Sequence, residues 1–180
     1  MPTIIAEPID TRRLDLVPLA ENHADALVDV LSDPALHTFI GGQPDTLDEL
    51  RARYRRVLAG APEPGVHWCN WVAYWHGDDQ PIGTLQASIT ERPDGLLAEI
   101  AGVVGTAWQS NGVAREMAQA LIKWMKGHRV RRVTAHIHPD HGASSAVVIA
   151  AGLRPTLLRV NGEVEWELWL DADDPARQES

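Results

Sequence analysis

Three strand patterns follow one another between Trp68 and Val104, and the turns between them are too short for anything but antiparallel neighbours. Trp68 to Trp75 is rich in aromatic and β-branched residues and ends at Gly77-Asp78-Asp79. Pro81 to Thr90 returns, Arg92-Pro93-Asp94-Gly95 turns again, and Leu97 to Val104 is the third strand. Only then does helical spacing dominate, with Val113, Met117, Leu121 and Trp124 closed by Gly127. A strand follows at Val130 to Ile137, with Val133, Ala135 and Ile137 on one face. A meander followed by one helical crossover predicts an α+β chain rather than the alternating order of a doubly wound sheet.

The flanking segments extend this order. Arg13 to Leu19 alternates as a short strand, and Ala24, Leu27, Val28 and Leu31 give a helix over Asn22 to Leu31. Pro34 opens a short helix that ends near Gly41-Gly42. Thr46 with Glu49 three residues on is a capping box for a helix through Leu50, Tyr54 and Leu58, and Gly60 to Gly65 is a loop. Ser144 to Ala151 is a short helix with Gly152 just beyond its end. Leu153 to Val160 and Glu163 to Leu170 flank Asn161-Gly162, a strong hairpin signal. The acidic residues 171–180 read as a frayed tail, and with no repeat or linker the expectation is one domain over residues 1–180.

Composition narrows the partners. Lys and Arg number 16 against 25 Asp and Glu, a net charge of −9, which is poorly suited to replacing counterions on a nucleic acid. No apolar run approaches the ~18–20 residues that cross a membrane, and Met1 to Arg13 lacks a signal-peptide layout. The one cysteine, Cys69, excludes an internal disulfide and a multi-cysteine zinc site. The expectation is a cytoplasmic protein with neither a nucleic-acid nor a membrane partner.

The chemistry concentrates between Ala98 and Leu153. After the strand ending at Val104, residues Gln109, Ser110, Asn111, Gly112, Val113 and Ala114 open the long helix. A glycine-containing turn at a helix start offers unpaired N–H groups and the positive end of the helix dipole, a ready pyrophosphate site. The spacing is neither the dinucleotide fingerprint nor the P-loop, and by itself it equally suits an ordinary strand-to-helix turn. Its neighbours are more specific. Gln109, Gly112 and Ala114 match a [QR]-x-x-G-x-[GA] motif, followed by His138-Pro139-Asp140-His141-Gly142-Ala143-Ser144 and then Gly152-Leu153. With Thr11-Arg12-Arg13-Leu14-Asp15-Leu16 and Leu31-Ser32-Asp33-Pro34, this resembles the GNAT superfamily of acyl-CoA N-acyltransferases, in its ribosomal-protein N-terminal branch, over residues 11 to 170.

The resemblance implies the GNAT fold, a mixed and mostly antiparallel central sheet with flanking helices whose fourth and fifth strands splay apart. It implies direct transfer of an acetyl group from acetyl-CoA to an amine in a ternary complex, with no metal. The amides of Gln109 to Ala114 would hold the pyrophosphate, and the backbone of Gly102, Val103 and Val104 would pair with the pantetheine arm. His141 stands where the family usually has Asn; its ring can contact CoA, or it can be a solvent-facing turn residue. The branch's proposed thiolate proton donor corresponds to Ser144, with Ser145 as a spare, although either serine can simply cap the helix. The tyrosine that many relatives use falls on Val148 and is absent. Relatives commonly dimerise, but no residue here marks an interface.

Glu99, in an otherwise apolar strand leading to the slot, is the candidate general base, and many relatives also carry Glu there. Burial would raise its pKa toward a useful range; the alternative is a carboxylate on an exposed face. His136 and His138 share a face with Thr134 but lack a third metal ligand, so no metal site is expected. For the acceptor, Glu163, Glu165 and Glu167 fall on one strand face, and Glu21, Asp25, Asp29 and Asp33 fall at near-helical spacing. Each row suits a solvated face, but together with −9 they favour a small cationic amine, aminoglycoside-like or a polyamine. A few of the seven tryptophans would add cation–π contacts. The alternatives are a protein or peptide N-terminus, or a module that binds acyl-CoA without catalysis.

Overall fold

The computed structural model describes residues 2–39 and 41–170; the expected tail at 171–180 lies outside the described residues. Eight strands form one sheet in the order β1-β2-β3-β4-β5-β6-β8-β7. They are β1 (Ile9–Asp10), β2 (Leu14–Pro18), β3 (Val66–Trp75), β4 (Pro81–Arg92), β5 (Gly95–Val104), β6 (Val130–Ile137), β7 (Arg154–Val160) and β8 (Glu163–Trp169). The helices are α1 (His23–Val30), α2 (Leu47–Leu58), α3 (Val113–Gly127) and α4 (Gly142–Ala150), with a 3₁₀ turn at Pro34–His37.

Alternation along the strands decides which face each helix covers. Leu85, Ala87 and Ile89 of β4 are buried with Ala98 and Ile100 of β5 and Val133 and Ala135 of β6. Against that face α3 packs Val113, Met117, Leu121 and Met125. Trp71 is fully buried here, edge-on to Trp124 with ring centroids 5.1 Å apart. On the other face α1 and α2 cover β3 through Ala24, Leu27, Val30, Leu50, Tyr54 and Val72. Thr46 accepts from Glu49 N–H while Glu49 accepts from Thr46 N–H, so the capping box forms. Asn161 and Gly162 both adopt positive φ, 51° and 81°, as the two-residue hairpin requires. Two features differ from the sequence expectation. The two-residue β1, too short to show a period, adds an edge strand beside β2. The turn at Pro34 is 3₁₀ and stops at His37, well before Gly41.

The sheet has one parallel pair. β5 and β6 are in register at Leu96↔Val130, Leu97↔Arg132, Ala98↔Val133 and Glu99↔Thr134, and the pairing ends there. Beyond it, β5 stays with β4 up to Val104, and β6 stays with β8 up to Ile137. The expected splay of the fourth and fifth strands is therefore present; with β1 counted they are β5 and β6. Among the described residues no helix is long and apolar enough to cross a membrane.

Leu121 is fully buried at the centre of α3, so Leu121→Ala should lower the unfolding free energy by about 2–5 kcal/mol. Urea titration measures the loss; a change within error would show that α3 does not carry the core.

Candidate active site

Two helices begin at the open end of this gap. α3 follows β5 through a 3₁₀ turn at Thr106–Trp108, and α4 follows β6. Their N-terminal N–H groups and partial positive charge therefore flank the point where the strands separate. In the loop before α3, Ser110 has φ 65° and Gly112, the N-cap, has φ 76°. The backbone N–H groups of Ser110, Asn111, Gly112, Val113, Ala114 and Arg115 find no acceptor among the described residues. A Cβ on Gly112 would meet Arg13 Nη2 at 3.3 Å, and its φ is one that side chains rarely adopt. A row of unpaired amides around a bare Cα fits a pyrophosphate.

The loop is held from both sides. Gln109 Nε2 donates to Val104 O at 3.0 Å, tying it to the end of β5. Arg13 Nη1 donates to Asn111 O at 3.0 Å, while Arg13 Nε and Thr11 Oγ1 both donate to Glu116, at 2.6 and 2.8 Å. Burial acts to raise the Glu116 carboxyl, but the hydrogen bonds from Thr11 and Arg13, with the Arg13 charge, outweigh it and hold the group below the usual range. Sequence reasoning did not assign this clamp. Its members lie about a hundred positions apart, and only the Thr11-Arg12-Arg13 element hinted at them.

Along the gap, Gly105 N–H donates to Ile82 O. Antiparallel alternation then turns the polar groups of Val103 toward β4 and those of Gly102 and Val104 into the gap. Val104 O is taken by Gln109, which leaves the Gly102 backbone open. Gly102 is also exposed, so an extended ligand can approach its main chain.

Glu99 occupies the vertex, the last β5 residue in register with β6. Its side chain is 59% exposed, so the burial expected from the apolar sequence around it is absent. Leu97, Glu99, Ala101 and Val103 alternate onto the face away from α3, where only α1 and α2 add cover. Glu99 Oε2 lies 3.3 Å from His136 Nδ1, and His136 Nε2 lies 3.4 Å from Glu165 Oε2. His136 thus lies between two carboxylates, a contact that its spacing in the sequence does not reveal. At the start of α4, the His141 ring accepts from Ser144 N–H, lies 2.9 Å from Ser144 Oγ, and stacks on Phe39 with centroids 4.3 Å apart. The ring is partly buried by these contacts.

A cavity of about 350 Å³ lies on the α1–α2 side and reaches Ala101, Gly102 and Val103. Leu31, Leu36, Leu50 and Val57 supply apolar wall, and Asn70, Gln86 and Tyr54 supply polar groups. Among the described residues its only lining carboxylate is Asp45, whose Oδ2 is 3.0 Å from Arg53 Nη1. Most members of the other acidic rows are also engaged. Arg132 Nη2 lies 2.8 Å from both Glu165 and Glu167, Arg51 pairs with Asp25, and Arg55 lies 3.6 Å from Glu21. Asp33 caps the 3₁₀ turn by accepting from Ala35 N–H. Two tryptophan faces are occupied as well, Trp75 by Arg13 and Trp169 by Arg132.

Comparison with known proteins places this geometry. The family model of the acetyltransferase (GNAT) domain matches residues 13–154. Among solved structures, the chain is similar to an acetyltransferase of the GNAT family from Bacillus anthracis, with TM-score 0.74 and 18% identity over 91% of this chain and 99% of that one. It is also similar to RimL, described as a ribosomal L7/L12 α-N-protein acetyltransferase in complex with coenzyme A, with TM-score 0.77 and 21% identity over 93% and 100%. A third, from Salmonella typhimurium, is described as modifying the N-terminal serine of the L7/L12 protein and gives TM-score 0.73 and 18% identity over 92% and 100%. No curated protein matches the chain by sequence.

The clamp has a pH signature. Because the folded Glu116 value is depressed, its contribution to stability is complete above the unfolded value of 4.5 and is lost as pH falls through the folded value. Glu116→Gln should cost about 1–3 kcal/mol at neutral pH, and the gap from wild type should close in acid. Thermal unfolding of both proteins between neutral and acid pH measures this; a gap constant with pH would dismiss the linkage.

Proposed function

The chain belongs to the GNAT acetyltransferase family and is an acetyl-CoA-dependent N-acetyltransferase, and from that premise we propose that its acceptor is the α-amine at the end of a peptide or protein chain. The observation that carries this reading is the cavity beside β5. It meets the main chain at Gly102 from the side opposite α3, has a largely apolar wall, and holds a single carboxylate already paired with an arginine. An acceptor with several ammonium groups needs several free carboxylates to replace its water. One terminal amine with an apolar side chain and peptide amides suits Leu36, Leu50, Asn70 and Gln86 better. The buried Tyr54 hydroxyl, with Arg53 beside it, lacks a well-formed hydrogen bond and is available to such a ligand. Neighbours of the same fold described as ribosomal-protein acetyltransferases are in keeping with this acceptor class.

In this reading, the amides from Ser110 to Ala114 hold the pyrophosphate, with Gly112 keeping the approach open and Gln109 fixing the loop. The main chain at Gly102 pairs with the pantetheine arm, while Val103 and Val104 hold that segment of β5 in place. Acetyl-CoA supplies the thioester. The amine nitrogen forms the new C–N bond as the C–S bond breaks, and the electron pair leaves on sulfur. Glu99 takes the amine's proton, directly or through one water, and its contact with His136 orients the carboxylate. Ser144, with His141 at its side, lies at the α4 end to meet the departing thiolate.

Two measurements test this. Glu99→Gln should lower kcat by about 10²–10³-fold with unchanged acetyl-CoA affinity; unaltered turnover removes Glu99 as base. A thiol-release assay over N-terminal peptides, polyamines and aminoglycosides should give the highest kcat/KM with a peptide. The net charge of −9 favours the second reading, a small polycationic acceptor, and a polyamine outrunning every peptide would establish it.

A further inference from the structure

His141 engages both Ser144 groups through its two ring nitrogens. Nδ1 accepts from Ser144 N–H at 3.4 Å as the N-cap of α4, and Nε2 lies 2.9 Å from Ser144 Oγ. A nitrogen that accepts carries no proton, so the one proton of the neutral ring sits on Nε2. Nε2–H therefore donates to Ser144 Oγ, and the hydroxyl proton must point elsewhere. Among the described residues Ser144 Oγ has no other partner. Ser145 differs, because its hydroxyl donates to His141 O at 3.2 Å. Of two adjacent serines, only Ser144 keeps a proton to offer.

The surroundings fix this arrangement. Phe39 stacks on the ring with an interplanar angle of 24° and holds its plane. Burial lowers the His141 pKa, and the nearby His138 adds to the effect, both favouring the neutral ring. Ser144 lies in the first turn of α4, where the helix dipole favours an anion, and α4 starts from the strand that walls the open end of the gap.

We propose that His141 is a positioning residue that turns the Ser144 hydroxyl proton into the β5–β6 gap, where it donates a hydrogen bond to the sulfur anion of CoA. The proposal rests on the reading of Ser144 at the thiolate. No proton travels through the ring, since a neutral imidazole that lost its Nε2 proton would become an anion. The electron pair of the broken C–S bond stays on sulfur and is stabilised there by the shared hydroxyl proton.

The test is the ultraviolet titration of CoA's thiol in its binary complex with the protein. Cys69 is buried and pushed up to about 11, which keeps the window clear. In wild type, the bound thiol should titrate about one pH unit below free CoA. Ser144→Ala and His141→Asn should each lose most of that shift and lower kcat at least tenfold, with KM for acetyl-CoA within twofold. The double variant should lose no more than either single one. His141→Asn retains an N-cap acceptor, so its Tm should stay near wild type while the titration moves. If Ser144→Ala changes neither titration nor kcat, the reading of Ser144 fails and the proposal with it. If Ser144→Ala shows the loss and His141→Asn does not, the role of His141 alone is overturned. Additive losses in the double variant would also overturn it, since His141 would then act independently of Ser144.

Discussion

The end of β5–β6 pairing after Glu99↔Thr134 organises the rest of the molecule. Buried backbone groups must be hydrogen-bonded, so two strands that part within a sheet leave an edge that something has to fill. Each strand is anchored by its other neighbour, β5 by β4 through Val104 and β6 by β8 through Ile137. Neither can close the gap without losing a ladder already formed. The gap also falls at the one parallel pair, where the chain leaves both strands in the same direction and starts a helix after each. Two helix N-termini at one slot follow from that topology, as does the suitability of the slot for an anionic, extended ligand.

Charge shows how an acidic chain accommodates such a ligand. With −9 overall, the protein repels a polyanion at long range, and binding must come from fixed local dipoles. In the proposed reading the amides of 110–115 provide them, and Glu116 just behind is paired with Arg13 and Thr11. Elsewhere Glu21 and Asp25 are partnered by arginines of α2, and Glu165 and Glu167 by Arg132. Charges paired in this way do little to draw a cation from solution, which is why the acceptor is better judged from the cavity wall than from the net charge.

Much of this was legible along the chain, for a physical reason in each case. The meander, the capping box at Thr46, the Asn161-Gly162 hairpin and the α3 boundaries depend on neighbours a few residues apart, so local spacing carries them. The splay was not legible in this way. Adjacent apolar strands read alike whether they pair fully or part halfway, and only the resemblance supplied it. Of the two placements open for Glu99 the structure has the exposed one, because the buried residues on either side of it, Ala98 and Ile100, alternate to the opposite face and say nothing about its own cover. The Glu99–His136–Glu165 row, the Arg13–Glu116 clamp and the Phe39–His141 stack join residues tens of positions apart, and no periodicity encodes them.

Phe39 also connects two halves of the site that the topology keeps separate. The segment between α1 and α2 supplies Leu36 and His37 to the cavity wall, and two residues on it places Phe39 against His138 and His141. The acceptor-side cavity wall and the packing of the His141 ring at the start of α4 thus draw on one short segment. A stacked ring forfeits a quarter to a half of its dispersion contact over a gap of about 0.5–1 Å, so the placing of Phe39 by this segment bears directly on the His141 ring.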